Sequence, residues 1–353
     1  MACLETKKVI PLKTKQLLEL KDEFGLTADP GFCHPGTRIN HIVFSAKAGL
    51  VELFQHKFGF TPQPIDDAAD KIQLCNGELE FRVDKNGPTS LLQITAVALD
   101  VPDIKDALKK AMETGAKIST LNGVPTIEIC RNLSHPLVSG SIGLHQRKIG
   151  ANPQSGYSFE VIDHIAICIP ADVYESVLEA YIYIFGLHVC HEEYVDTKVS
   201  AMDSQVLTNK ERSITLVFMK PCAGKEKSQI QRFIDLNGGG GVQHIALKVN
   251  NIMHAVQDFK ARDVEFLQVN GAYYDDLPTR IHQLPANVEA LRELGILVDQ
   301  DDHGLLLQIF TRPLLNDQTV FFELIERHGC LGFGSGNIKA LFKSVEQDIK
   351  NIQ

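Results

Sequence analysis

The chain has 353 residues, enough for two domains of ordinary size, each with its own core. Its 44% hydrophobic and 22% charged residues are typical of a soluble globular protein, and no apolar run approaches the roughly 18 residues of a membrane span. A net charge of −9 with scattered lysines argues against nucleic-acid binding, because phosphate recognition needs clustered Lys and Arg.

The N-terminus contains no apolar segment followed by small residues, so no secretory signal is expected, and its acidic residues disfavour a transit peptide. Eight cysteines form no CxxC pair and no zinc-finger spacing. We therefore expect a reducing compartment, the cytoplasm, with the mitochondrion as the alternative.

An internal repeat organises the chain from residue 39 onward. The run INHIVFSAKAGLVELFQHKFGF, from residue 39, resembles IDHIAICIPADVYESVLEAYIYIFGL, from residue 162. Each predicts a strand, an amphipathic helix and a Phe-Gly stop. The run ITAVALDVPDIKDALKKAMETGAKI, from residue 94, resembles VQHIALKVNNIMHAVQDFKARDVEFL, from residue 242, and each predicts a strand, a helix and a second strand.

Four such units, with further strands such as ELEFRVD and GLLLQIFT, predict an α+β protein with helices on one side of mixed sheets. We predict an N-terminal extension (residues 1–36), a first lobe (37–150) and a second lobe (158–353). The boundary falls in the Gly/Pro/Ser/Asn-rich segment 147–157. An amphipathic helix over 335–353 ends the second lobe and is expected to cover an apolar surface. Its predicted apolar face consists of Ile338, Leu341, Phe342, Val345 and Ile349.

The repeat allows residues of the two lobes to be compared. His164 and His244 lie near the start of corresponding strands in the second lobe, and the equivalent positions of the first lobe hold His41 and Ala96. Both imidazoles are thus present only in the second lobe.

Glu323 completes a candidate metal site if TVFFELIERH is a strand, because a charge between Phe322 and Leu324 is costly without a partner. His164 and His244 are 80 positions apart and His244 and Glu323 are 79 apart, which places them on separate strands. Two imidazoles and one carboxylate are the donors of non-haem Fe(II) sites with open positions. The alternatives are core histidines, and a surface ion pair between Glu323 and a nearby arginine.

Four consecutive glycines, residues 238–241, lie just before His244 and are separated from it only by Val242 and Gln243. They predict either a tight turn that passes close to another segment and delivers His244 to the site, or a flexible loop.

The runs KSQIQRFIDLNGGGGVQHIALKV and GILVDQDDHGLLLQIFTRPLLNDQTVFFELIERHGCLGFGSGN resemble the 4-hydroxyphenylpyruvate dioxygenase family, including its hydroxymandelate synthases. The resemblance implies the vicinal-oxygen-chelate fold, built from paired βαβββ modules with curved sheets. It also implies an Fe(II) site in the second lobe only, with His164, His244 and Glu323 as ligands. The implied substrates are an aromatic 2-oxo acid and O2, with no separate catalytic acid or base.

The resemblance further implies a substrate pocket that combines amides, a hydroxyl and aromatic walls. Its matching positions are Ser204, Gln229, Gln243, Gln308, Phe310, Phe333 and Asn337. Three other pocket positions depart from the homogentisate-forming enzymes. Val217 replaces a proline, Met219 an asparagine and Ile338 an aromatic residue.

Because attack geometry is sensitive to shifts of about 1 Å, these departures favour benzylic hydroxylation to 4-hydroxymandelate. The alternatives are homogentisate formation, a non-catalytic binding protein of the same fold, and the isomerase, lyase or extradiol chemistry of more distant relatives. A homo-oligomer is expected, since the first lobe is free to specialise in packing.

Overall fold

The computed structural model describes residues 36–45, 48–63, 71–84, 91–121, 123–139, 159–282, 288–315 and 319–352. The predicted extension, apart from Gly36, and the predicted boundary segment 147–157 lie outside these ranges. Within the described ranges, none of the helices has the length and apolarity that a bilayer crossing needs.

The described part of the first lobe forms one mixed sheet with two helices. Its elements are β1 (Arg38–Ser45), α1 (Leu50–His56), β2 (Thr61–Gln63), β3 (Lys71–Asn76), β4 (Leu79–Asp84), β5 (Ile94–Val101), α2 (Ile104–Thr114), β6 (Lys117–Leu121), β7 (Val124–Cys130) and β8 (Leu133–Ser139). The strand order is β2-β3-β4-β1-β5-β8-β7-β6. β1 is parallel to β4 and antiparallel to β5.

The second lobe repeats this arrangement and adds helices. Its described elements are β9 (Ile162–Cys168), α3 (Tyr174–Phe185), β10 (His188–Asp196), β11 (Ala201–Thr208), β12 (Thr215–Cys222), α4 (Gln229–Asn237), β13 (Gly241–Lys248), α5 (Ile252–Ala261), α6 (Ala272–Asp275), α7 (Leu277–Arg280), α8 (Val288–Leu294), β14 (Leu297–Asp301), β15 (Gly304–Phe310), β16 (Phe321–His328) and α9 (Ser335–Ile352). The strand order is β10-β11-β12-β9-β13-β16-β15-β14, the order of the first sheet. The predicted α+β class and the vicinal-oxygen-chelate fold are confirmed.

Local signals in the repeat fix its helix ends. Asp103 accepts hydrogen bonds from the backbone N–H groups of Lys105 and Asp106 at the start of α2, and Asn251 does the same for His254 in α5. Gly186 ends α3 in the left-handed conformation, with φ 66°. These caps satisfy backbone groups that a helix end would leave unpaired.

Helices of the repeated units pack between the two sheets, and a single apolar cluster contains residues of both lobes. Phe322 of β16 stacks on Phe54 of α1 at 5.9 Å between ring centroids and meets Phe58 edge-on at 5.0 Å. Aromatic pairs of this kind contribute about 0.5–1.5 kcal/mol beyond their area burial. The helix-facing sides of both sheets are therefore committed to packing, which leaves their other faces for a site.

The last helix closes the second sheet. Ser335 Oγ donates to Glu193 of β10 at 2.5 Å, and the backbone N–H of Gly336 donates to Asp299 of β14 at 2.9 Å. These two strands are the opposite edges of the sheet, which would lie roughly 30 Å apart if it were flat. Since adjacent residues reach both edges, the sheet is strongly curved, and α9 covers its concave face.

The predicted apolar face of α9 contacts two side-chain clusters. Ile338 and Phe342 pack in a cluster with Met219, and Leu341 packs in another with Phe310. Ile349, predicted for the same face, has a side chain outside the described residues.

A buried hydrogen-bonded pair joins the lobes. His135 Nδ1 lies 3.0 Å from the carbonyl oxygen of Val97, and Nε2 lies 2.5 Å from the hydroxyl of Tyr181 on α3. Because a carbonyl only accepts, Nδ1 carries the proton and Nε2 accepts from Tyr181. Burial lowers the pKa of His135 to about 4, although the Val97 carbonyl partly opposes this shift.

We expect this pair to make stability depend on pH. Between its ordinary pKa and about 4, His135 is protonated in the unfolded chain but neutral in the folded one, so stability falls as the pH falls through that window. From pH 7 to 4.5 the loss attributable to His135 should be about 2–3 kcal/mol. Urea unfolding of the wild type and of His135→Gln at both pH values measures it. An equal loss of stability in the two proteins would contradict the prediction.

Candidate metal centre

Three adjacent strands carry the predicted donors. His164 lies on β9, His244 on β13 and Glu323 on β16, and these strands are neighbours in the sheet. Ala246 of β13 pairs with both His164 and Glu323, so those two residues are level on either side of it. His244 lies two positions before Ala246 and points to the same face, because strand side chains alternate.

The three side chains meet in a buried space. Glu323 Oε2 lies 3.3 Å from His164 Nε2 and 3.6 Å from His244 Nε2. One donor atom from each residue can be chosen so that all lie within 4.8 Å of one another. Donors about 2.1 Å from a shared ion and at right angles lie roughly 3 Å apart, so the observed spacing fits an ion after a small inward movement.

The electrostatics of the site fit a cation as well. Burial lowers the pKa of both imidazoles, but for His164 the Glu323 charge and hydrogen bonds to Asp163 and Glu323 outweigh it and raise the pKa to about 9. Burial and then the positive charge on His164 hold the pKa of His244 well below its usual range. The Glu323 carboxylate thus favours a single positive charge, which is a proton on His164 when no metal is bound. A divalent ion in the same place would supply a larger positive charge.

Asp163 and Arg327 fix the orientation of His164. The Nδ1–H of His164 donates to Asp163 at 2.9 Å, so Nε2 is the nitrogen that faces Glu323 and His244. Arg327 donates two hydrogen bonds to the same carboxylate, at 2.7 and 2.9 Å. Burial raises the pKa of Asp163, but the hydrogen bonds and charges of Arg327 and His164 hold it well below its usual range.

A surface ion pair does not explain Glu323. Arg327 binds Asp163, and Arg312 lies 3.8 Å from Glu265. Glu323 is 1% exposed, and its Oε1 accepts a hydrogen bond from Gln308 at 2.8 Å. Its second oxygen is left facing the two histidines.

Bulges in β9 and β13 aim the residues that precede the histidines. The pairing register shifts between Ala246 and Leu247, opposite Asp163, and again at Gln243, next to His244. A bulge leaves an extra residue that can turn toward the face of its neighbour. This is how Asp163 reaches His164, although side chains of adjacent strand residues normally point apart.

The first lobe has the same framework without the donors. His41 pairs with Ala98 as His164 pairs with Ala246, and Ala96 holds the place of His244, as the repeat predicts. Pro136 occupies the third position, two residues after Ser134, which pairs with Ala96. This lobe therefore cannot assemble the same triad.

Several predicted pocket residues surround the triad. The rings of Phe333 and Phe310 lie 5.5 Å from His164 and 6.4 Å from His244, respectively. Gln308 contacts Glu323, and Asn337 donates to Gln308 at 2.8 Å. Both amides are fully or almost fully buried, so neither is a solvent-exposed amide at the edge of the sheet.

The remaining pocket residues lie farther from the triad. Ser204 pairs with Met219, and its hydroxyl donates to the Glu193 carbonyl at 3.1 Å. Gln229 begins α4 and Gln243 precedes His244; both are buried. In the described ranges no hydrogen bond joins Ser204, Gln229 or Gln243 to a triad residue. The three departures, Val217, Met219 and Ile338, share one apolar cluster.

The loop before α9 holds Phe333 over His164. Arg327 Nη1 donates to the carbonyl of Gly332 at 2.6 Å, and Asp301 accepts from the N–H of the same residue at 2.8 Å. The arginine therefore fixes both the loop and, through Asp163, a triad histidine.

Sequence reasoning missed several neighbours of the triad. Phe321 stacks on His244 at 4.8 Å between centroids, and Asp163, Arg327 and Tyr273 belong to the hydrogen-bonded surroundings. Phe321 was detectable, because it lies two positions before Glu323 on the same face of one strand. The others depend on bulges and on contacts between distant segments.

The glycine run makes a close contact between lobes. Gly238 ends α4 with φ 68°, and a Cβ on Gly240 would lie only 2.4 Å from Cys130 Sγ of the first lobe. Asn237 clamps the run by donating to the Gly240 carbonyl at 2.8 Å, and Asn132 donates to the Asn237 carbonyl at 2.9 Å. The close-approach interpretation is confirmed, and the run leads directly into β13.

Gly240→Ala should therefore be destabilising, by about 1–3 kcal/mol, because the added methyl overpacks this contact. Cys130→Ala in the same chain should restore part of the loss, since the Cys168 carbonyl oxygen would remain 3.0 Å away. Gly271→Ala is the matched control, as nothing lies within 4 Å of its added Cβ. Thermal unfolding of the four proteins measures this, and equal effects at Gly240 and Gly271 would disprove the contact.

The fold and the site define a protein of the vicinal-oxygen-chelate class. Residues 161–303 match the Glyoxalase/Bleomycin resistance protein/Dioxygenase superfamily. The chain is 33% identical over 299 residues to the 4-hydroxyphenylpyruvate dioxygenase of Aspergillus fumigatus, a match that covers 77% of this chain and 73% of the fungal protein. The chain belongs to the 4-hydroxyphenylpyruvate dioxygenase family.

Two further relatives agree. The 4-hydroxyphenylpyruvate dioxygenase of Sus scrofa is 40% identical over 212 residues, which are 58% of this chain and 53% of the pig protein. The match thus spans about half the length of that relative. A mutant of 4-hydroxymandelate synthase from Streptomyces coelicolor superposes with a TM-score of 0.77 at 28% identity, covering 89% of this chain and 100% of that one.

Proposed function

We propose that this protein is an Fe(II)-dependent, O2-using, decarboxylating dioxygenase that acts on 4-hydroxyphenylpyruvate or a close aromatic 2-oxo acid. The observation that carries the proposal is the convergence of His164, His244 and Glu323 in a buried space. A non-catalytic protein of this fold would have no need to keep three ionisable side chains there, because their burial is costly without a metal.

The proposed ligands are the Nε2 atoms of the two histidines and one oxygen of Glu323. When bound, Fe(II) supplies open coordination positions at which the oxo acid and O2 meet and react. Neighbouring residues orient these donor atoms through hydrogen bonds. Asp163 keeps Nδ1 of His164 protonated, and Gln308 occupies the other oxygen of Glu323. We assign no separate acid or base.

The aromatic and aliphatic walls are proposed to exclude water and to hold the substrate ring. The ring of Phe333 lies next to His164, and the rings of Phe310 and Phe321 lie next to His244. Polar atoms of Ser204, Gln229 and Gln243 are proposed to bind the phenolic oxygen and the carboxylate. They can do so without displacing a metal ligand, because amides and hydroxyls are weaker ligands than imidazole and carboxylate.

We propose 4-hydroxymandelate as the product, with homogentisate as the alternative. Val217, Met219 and Ile338 are distant in sequence but pack in one cluster beneath α9. We propose that this cluster forms one wall of the cavity, which would then be apolar where the homogentisate-forming enzymes are expected to have an amide and an aromatic ring. A substrate whose ring is held differently presents its benzylic carbon, rather than a ring carbon, for hydroxylation. The choice between the two carbons depends on shifts of about 1 Å.

Incubation of the Fe(II)-loaded protein with 4-hydroxyphenylpyruvate and O2 should give 4-hydroxymandelate, identified by mass spectrometry and NMR. Oxygen uptake should stop when a chelator is added. Met219→Asn combined with Ile338→Phe should raise the homogentisate fraction. Homogentisate as the main wild-type product would reverse the assignment. Oxygen uptake that continues in the presence of the chelator would show that the reaction does not need a metal.

Metal titration tests the ligands independently of turnover. Loss of a residue that only orients a metal ligand costs roughly 10- to 100-fold in metal affinity, so loss of a ligand itself in His244→Ala or Glu323→Ala should cost more than about 100-fold. His41→Ala, at the repeat-equivalent position of His164, should bind Fe(II) like the wild type. Anaerobic titration followed by metal analysis measures this; unchanged affinity in the His244 variant would exclude the site.

The cytoplasmic location and the homo-oligomeric state expected from the sequence stay predictions.

A further inference from the structure

A line of hydrogen bonds leads from Glu323 to a tyrosine outside the cavity. Glu323 Oε1 accepts from Gln308 at 2.8 Å, and Gln308 Oε1 accepts from Asn337 at 2.8 Å. Asn337 Oδ1 lies 2.5 Å from the hydroxyl of Tyr273. The carboxylate and both amides are buried, so water does not compete for these bonds.

The line has a fixed direction. A carboxylate only accepts, so Gln308 must present its NH2 group to Glu323 and its oxygen to Asn337. Asn337 must then present its NH2 group to Gln308 and its oxygen outward, where Tyr273 supplies a hydroxyl proton. If that donor were missing, Asn337 Oδ1 would be a buried acceptor with one partner fewer, and the alignment would lose its outer support.

Tyr273 is held in place from several sides. The backbone N–H of Val298 donates to its hydroxyl at 2.8 Å. The hydroxyl has one proton to donate, and of its two acceptors Asn337 Oδ1, at 2.5 Å, is nearer than the Val298 carbonyl, at 2.7 Å. The guanidinium of Arg280 lies over its ring, 4.8 Å from the centroid. Burial raises the pKa of Tyr273 to about 12, so the hydroxyl keeps its proton at neutral pH.

We propose that Tyr273 is a positioning residue for the metal site: it fixes Asn337 and Gln308 so that Glu323 presents Oε2 to the two histidines. This inference rests on the metal centre proposed above. Among the described residues no hydrogen bond joins Tyr273 to a triad residue, so its influence passes through two amides. The same contact also anchors the first turn of α9, which couples the closing helix to the carboxylate.

A purely structural role for Tyr273, as an anchor for α9, makes a different prediction. It would lower thermal stability but leave the affinity and geometry of the metal site unchanged. Co(II) separates the two roles, because its visible absorption bands report ligand geometry and its binding needs neither substrate nor turnover.

The test compares Tyr273→Phe with Tyr274→Phe. Among the described residues the Tyr274 hydroxyl is buried without a hydrogen-bond partner, so its removal is a matched control. Tyr273→Phe should weaken Co(II) binding by about two- to tenfold, the effect of one net hydrogen bond, and shift the visible bands. Tyr274→Phe should bind Co(II) like the wild type.

The substitution Asn337→Asp tests the same line of hydrogen bonds at a second position. The carboxylate can still accept from Tyr273 but has no N–H for Gln308, so it should weaken Co(II) binding by itself. Adding Tyr273→Phe to Asn337→Asp should then cause no further loss, since the line is already broken.

Three results would overturn the inference: unchanged Co(II) affinity and bands in Tyr273→Phe, equal losses in the Tyr273 and Tyr274 variants, or an undiminished Tyr273 effect beside Asn337→Asp. Failure of the wild type to bind Co(II) is distinct from these, because it would refute the proposed metal centre itself.

Discussion

Glu323 places a carboxylate where only 1% of its surface reaches solvent, and most of the site can be understood as the response to that cost. One oxygen receives a hydrogen bond from Gln308, and the other faces two imidazoles at 3.3 and 3.6 Å. Without a cation, a proton on His164 provides the compensating charge, as its raised pKa indicates. The same arrangement suits a divalent ion, which explains why so polar a cluster can persist inside an apolar shell.

Duplication of one framework explains how the site is built. Both lobes have the same strand order, and in both a bulge precedes the first strand histidine. Asn40 Oδ1 lies 2.8 Å from His41 Nδ1, just as Asp163 lies 2.9 Å from His164. The first lobe lacks the donors at Ala96 and Pro136 but supplies Cys130 and Asn132, which hold the glycine run before His244. One copy thus carries the three candidate donors, and the other shapes the strand that presents His244.

The second constraint on the site is that the two faces of the second sheet have different roles. Its helix-facing side is buried in a core shared with the first lobe, so Phe322 packs against Phe54 while Phe321 and Glu323 point the other way. The concave side is closed by α9, whose apolar side chains complete two separate clusters. Strand alternation is what allows neighbouring residues of β16 to belong to a core and to the candidate metal site at once.

The sequence by itself determined the repeat, the α+β class, and the choice of His164, His244 and Glu323. Periodicity and residue chemistry are local properties, and the repeat supplied an internal comparison. Only the tertiary structure decided that these residues share one face of three adjacent strands, that bulges turn Asp163 toward His164, and that Val217, Met219 and Ile338 share one apolar cluster. It also decided that Tyr273 lies at the end of a line reaching Glu323. Such contacts join segments far apart in the chain, and strand order, register and sheet curvature, which bring them together, leave no local mark in the sequence.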